Sequence, residues 1–120
     1  MFYLDTYALV ELARANQKFV GYTTQEFVVN DITLAEFYNV ILREYDEQTA
    51  NYWFRMIGPN SNPVTKELLI ESVKFRRINT AKNFSFFDAV GYIYSLKNGH
   101  KFLTGDKDFE VMPGVEFIKK

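Results

Sequence analysis

Apolar residues recur along the chain with two different periods. Short β-rich runs bounded by turn residues read as strands: Phe2-Tyr3-Leu4, Phe27-Val28-Val29, Lys101-Phe102-Leu103-Thr104 and Val115-Glu116-Phe117-Ile118. Between them the period lengthens. Asp5-Thr6 offers a turn and cap before the helical run Tyr7 to Ala13. Leu34, Phe37, Tyr38, Ile41, Leu42 and Tyr45 form a stripe expected to be buried, with Glu36, Asn39 and Arg43 as its polar counterpart. Ala50, Trp53, Phe54 and Ile57 continue in a second helix that Gly58-Pro59 ends, so the two are expected to pair as a hairpin. The segment GPNSNP reads as turns. Further helices are expected over about 65–80 and 86–96, the latter ending at Asn98-Gly99. Strands alternating with helices imply an α/β fold whose central sheet is mostly parallel.

Composition narrows the chemistry. With 120 residues, 48% hydrophobic and 18% aromatic, the chain can bury a core and is expected to form a single domain over 1–120. No apolar run approaches the roughly 18 residues of a membrane span, and MFYLDTYALVEL lacks the basic start of a signal peptide. The absence of cysteine removes disulfides, thiolate metal sites and cysteine nucleophiles, and is compatible with a cytoplasmic location. A single histidine, His100, excludes a multi-histidine zinc site within one chain. Any metal must be held mainly by oxygen, which points to Mg²⁺ or Mn²⁺. The net charge of −1 argues against a nucleic-acid partner until the acids are sorted. Setting aside four of the 15 acidic residues leaves 11 against 14 basic ones, a balance that permits such a substrate without selecting it.

The four acids are Asp5, Glu36, Asp88 and Asp106. In open parallel sheets ligands bind beyond the carboxyl ends of the strands. Asp5 follows the first strand, Asp106 follows the Thr104 strand after one glycine, and Glu36 and Asp88 sit near helix starts that belong to the same end. Each also has a local explanation. Thr33 to Glu36 fits a capping box and Ser85 to Asp88 has similar spacing; Asp5 could cap its helix and Asp106 could serve a turn. Gathering carboxylates raises their proton affinity, a cost that a divalent cation reverses. Such ions can activate water and clamp a phosphate with no protein nucleophile.

These segments resemble the PIN-domain family. FYLDTYALVEL is similar to its opening motif, TLAEFYNVI to its second, and FSFFDAVGYIYSLKNGHKFLTGDKDFE to its C-terminal signature. The resemblance covers nearly the whole chain in the right order. It implies a three-layer α/β/α, Rossmann-like PIN domain and Mg²⁺- or Mn²⁺-dependent cleavage of single-stranded RNA. Asp5, Glu36, Asp88 and Asp106 match the four acidic positions, which would hold the metal and carry catalysis. Asp108 is an accessory metal-ligand candidate, with Thr6 and Thr104 as supporting hydroxyls. Small prokaryotic members are commonly VapC-type toxins that form homodimers and are inhibited by a cognate antitoxin. A housekeeping RNA-processing nuclease and a non-catalytic PIN-fold module are the alternatives.

Asn39 and Arg43, beside Glu36, are candidates to line an RNA groove. Lys74, Arg76, Arg77 and Lys82 form the densest basic patch and are candidates for phosphate contact. His100 reads as a surface turn residue and Trp53 as core. Surplus aromatics on the two-helix hairpin suggest a dimer or antitoxin surface.

Overall fold

The computed structural model describes residues 1–119. Five strands form one all-parallel sheet: β1 (Phe2–Leu4), β2 (Phe27–Asn30), β3 (Ser61–Asn62), β4 (Lys101–Thr104) and β5 (Val115–Phe117), in the order β3-β2-β1-β4-β5. Six helices accompany it: α1 (Thr6–Ala13), α2 (Gln17–Val20), α3 (Asp31–Glu44), α4 (Glu47–Ile57), α5 (Lys66–Ile78) and α6 (Phe86–Lys97). No helix among the described residues is long and apolar enough to cross a membrane.

Alternation along the strands builds the layers. Successive strand residues face opposite sides of a sheet, so strands covered by helices on both faces carry apolar residues at consecutive positions. Leu4, Val29 and Leu103 pack on one side with Leu9 of α1, Phe37 and Ile41 of α3 and Ile57 of α4. Their neighbours Tyr3, Val28 and Phe102 pack on the other with Tyr92 of α6, Phe84 and Phe109. Each fully buried large apolar side chain contributes about 1.5–3 kcal/mol, so the two clusters together fix the sheet between its helices.

Gly91 shows how closely α6 lies on the sheet. A Cβ there would come 3.2 Å from the Tyr3 ring, 3.3 Å from Phe102 and 3.4 Å from Thr33 Oγ1. Gly91 thus serves close helix-on-sheet packing; one turn on, Ser95 is fully buried and donates to the His100 carbonyl.

Three expectations are corrected. The segment read as turns contains β3, whose two polar residues carry no strand pattern but pair with Val29 and Asn30. Between α1 and β2, a stretch for which the sequence offers no period, the chain forms α2 and a 3-10 turn over Gly21–Thr24. On the α3 stripe, Leu42 and Tyr45 are exposed, and Phe54 of α4 is likewise half exposed. Finally, α3 does not start at a Thr33 capping box. Asn30 caps it, its side-chain oxygen accepting from the Ile32 and Thr33 amides at 3.0 Å. Thr33 is buried instead and its hydroxyl bonds the Tyr3 hydroxyl at 2.6 Å.

Candidate active site

The strand order creates one switch point. From β1 the chain steps outward through β2 to β3, then crosses back to place β4 on the other side of β1. Crevices at such a reversal, beyond the carboxyl ends of the strands, are where open parallel sheets bind ligands. Asp5 is the first residue past β1 and Asp106 the second past β4, so these two acids flank the reversal. Asp5 N–H continues the ladder by donating to the Leu103 carbonyl at 3.2 Å.

Local chemistry then aims each carboxylate. Asp5 caps α1, accepting from the Ala8 amide at 2.8 Å. Asp88 completes a reciprocal box with Ser85: the Ser85 hydroxyl accepts from the Asp88 amide and the Asp88 carboxylate from the Ser85 amide, both at 3.0 Å. Asp106 accepts from the Asp108 amide at 3.0 Å. Three of the four acids thus satisfy amides at a helix or turn start, as the local readings expected. This does not remove them from a site, because helices entered from parallel strands begin at the ligand-binding edge. Glu36 is different. With the helix starting at Asp31, it lies beyond the first turn and caps nothing; its carboxylate accepts from the Thr6 hydroxyl across the crevice.

Thr104 joins two of the acids. It is fully buried, its hydroxyl oxygen accepts from the Asp106 amide at 3.0 Å, and it hydrogen-bonds the Asp5 carboxylate. Asp108 also borders the cluster, raising the proton affinity of Asp88.

Burial and mutual repulsion set the electrostatics. Asp5 is 4% exposed, and desolvation pushes its pKa up to about 8 against the bonds from Thr104 and Ala8, with Asp88 and Asp106 adding to the rise. Desolvation raises Asp88 as well, opposed by Ser85 and reinforced by Asp106 and Asp108. Glu36 is raised by desolvation, with Thr6 opposing and Asp88 adding. Asp88 is therefore the acid that the others share. Through Asp88 the four carboxylates thus lie within electrostatic reach of one another.

The donor set fits a hard divalent cation: all oxygen, four acids, no imidazole or thiolate. The fit is one of chemistry. Among the described residues no three acidic or imidazole side chains close tightly enough to grip an ion as they stand. Asp5, Asp88 and Asp106 are each engaged with a backbone amide, and Glu36 with the Thr6 hydroxyl.

Gly105 owes its identity to a contact that sequence does not display. A Cβ there would lie 2.2 Å from Tyr7 Cε1, and the Tyr7 ring is itself packed on Phe19. Gly105→Ala is expected to cost about 1–3 kcal/mol by overpacking and to displace Asp106. Thermal melts of Gly105→Ala, Tyr7→Ser and the double variant check this. The double variant should be more stable than the sum of the single losses allows, and strict additivity would refute the contact.

The remaining candidates separate. Asn39 and Arg43 are exposed on the outer side of α3. Lys74 lies along an outer groove of α5 with Lys66, Glu67, Ile70 and Glu71, whereas Arg76, Arg77 and Lys82 share a different hollow. On the α3–α4 hairpin, Leu42, Tyr45, Tyr52, Phe54 and Met56 are exposed, beside a groove bordered by Leu34, Tyr38 and Phe54. Trp53 packs against the core as expected.

No protein-family model matches the sequence, and no curated relative is detected. Solved structures do match. VapC20 of Mycobacterium tuberculosis, described as a sarcin-ricin-loop-cleaving toxin, superposes with a TM-score of 0.81 at 16% identity, over 100% of this chain and 98% of its own. A toxin-antitoxin complex from Klebsiella pneumoniae gives 0.75 at 18% identity, over 97% and 96%. FitAcB from Neisseria gonorrhoeae gives 0.66 at 14% identity, over 90% and 89%. The architecture is the PIN-domain fold of VapC-type proteins, as the motifs led one to expect.

Proposed function

From a chain with the VapC-type PIN fold, we propose a metal-dependent endoribonuclease that cleaves single-stranded RNA and serves as the toxin of a toxin-antitoxin pair. The reading is supported by the electrostatic reach of these acids at the switch point: burial first, and then repulsion that links Asp5, Glu36 and Asp106 through Asp88, raises the proton affinity of Asp5, Glu36 and Asp88. A structural role alone would not require acids to be assembled against their own repulsion.

In this reading Asp5, Glu36, Asp88 and Asp106 hold Mg²⁺ or Mn²⁺, with Asp108 beside them. Such a cation supplies Lewis-acid polarisation of the phosphate and a lowered pKa for water. The chain's own contribution is placement. Thr104 ties Asp5 to the Asp106 backbone, Thr6 orients Glu36, and the Ser85 box fixes Asp88. The antitoxin partner is proposed from the fold shared with a toxin-antitoxin complex and from the apolar surface of the hairpin, which a partner protein would cover. A homodimer is proposed on the family resemblance alone.

Incubating the purified protein with a labelled single-stranded RNA tests the activity. Cleavage should appear with Mg²⁺ or Mn²⁺ and vanish in EDTA. Undiminished cleavage in EDTA would refute a metal-dependent mechanism.

A further inference from the structure

We propose that the hollow at the C-terminal end of α5 is a docking site for the phosphodiester backbone of the substrate strand; this rests on the ribonuclease reading. The hollow, about 380 Å³, is bordered by Arg76, Arg77 and Lys82 together with Asn79, Asn83 and Phe84, and no acidic residue lines it. Among the described residues none of its three cations forms a salt bridge, although Arg14 and Lys97 do so elsewhere. The chain carries 15 acidic against 14 basic residues, so acids to neutralise them are not scarce. Three cations gathered without a counter-charge repel one another, and an anionic ligand relieves that repulsion.

The hollow is also organised. Arg76 Nε donates to the Phe84 carbonyl at 3.0 Å, which fixes the guanidinium while leaving its terminal nitrogens for a ligand. A turn closed by Lys82 N–H to the Asn79 carbonyl, 3.0 Å, folds the loop back toward the helix. Phe84 forms a rigid floor, stacked on Phe75 at 5.4 Å and on Phe109 at 4.2 Å. Basic residues in a last helical turn complement the helix dipole, which accounts for Arg76 and Arg77 alone. It accounts neither for Lys82, which lies beyond the helix, nor for the concave shape.

Position links the hollow to the chemistry. Phe84 is followed by Ser85, whose amide holds the Asp88 carboxylate. A phosphate in the hollow is therefore tied through one short, ordered loop to the central acid of the candidate site. The acid cluster itself repels an approaching polyanion, so nearby unpaired cations are the element that would draw the strand in.

The test uses Asp88→Asn in Mg²⁺, so that bound RNA stays intact, with and without Arg77→Gln/Lys82→Gln. Both added substitutions are away from the Arg76 anchor. Binding of a short fluorescent single-stranded RNA is followed by anisotropy as salt rises from ~50 to ~200 mM. Removing one cation that meets a phosphate should flatten the slope of log K against log salt by about 0.7, so the pair should flatten it by about 1.4. An unchanged slope, with affinity within about twofold across that range, overturns the proposal. So does an unchanged slope accompanied by loss of binding to an acidic protein partner, which would assign the hollow to a protein. Cleavage by the otherwise wild-type chain is scored separately. A flattened slope without cleavage retains the docking site and rejects the ribonuclease reading; cleavage with an unchanged slope does the reverse.

Discussion

Replacing Asp88 with Asn is expected to lower RNA cleavage on the order of 10³-fold while leaving the fold intact, the scale seen when a preorganised charge-stabilising group is removed. The separation of effects follows from the two tasks of the side chain. As a cap, Asp88 needs one oxygen to accept from the Ser85 amide, and asparagine supplies one. To add, as it does, to the burial-driven rise in the pKa of Asp5 and Glu36, it needs a negative charge, and asparagine has none. Circular dichroism should therefore be nearly unchanged, and the melt no lower than the wild type's, while single-turnover cleavage collapses. Equal activity in the variant would show that capping is the whole of its role.

The second large effect is on stability, in the metal-free protein. Folded Asp5 keeps its proton to about pH 8, whereas the unfolded chain releases it near 3.8. Between those values the unfolded state binds fewer protons than the folded one, so stability falls as pH rises through the window. The stabilising contribution is complete below pH 3.8 and gone above 8. Glu36 and Asp88 act with the same sign. A tenfold change in proton affinity corresponds to about 1.4 kcal/mol, so the effect should reach a few kcal/mol and several degrees in Tm. In EDTA, Asp5→Asn should melt higher than the wild type at about pH 8 and show a flatter pH dependence. Mn²⁺ at that pH should raise the wild-type Tm and leave the variant's almost unmoved. A wild type whose EDTA melting curve does not respond to pH would remove the buried acid from the account.

Much of this was legible in the chain because the strands and helices announce themselves by period. Tyr3-Leu4, Val28-Val29 and Phe102-Leu103 are apolar at consecutive positions because each pair serves two packed faces. Strands alternating with helices imply a parallel sheet, and the sheet points to Asp5 and Asp106. Glu36 was obscured by a false local match. Thr33 and Glu36 have capping-box spacing, yet Asn30 reaches the first amides and Thr33 turns inward to Tyr3. Which of two polar residues caps a helix depends on where the preceding strand ends, and spacing does not report that. Asp88 carried the opposite lesson: its box is real, and it stands in the cluster as well. The Tyr7–Gly105 packing and the two-residue β3 are long-range or too short to leave a periodic signal. The unequal grouping of Lys74 and Arg76-Arg77 was hidden for a related reason, since neighbours in sequence on a helix face different directions.

Calorimetric titration with Mn²⁺ tests, without depending on any RNA, whether these carboxylates form one divalent-cation site. The wild type should bind Mn²⁺ saturably, and Asp5→Asn or Asp88→Asn should weaken that binding by at least about tenfold, roughly 1.4 kcal/mol or more. No measurable binding to the wild type, or equal binding to both variants, would contradict such a site.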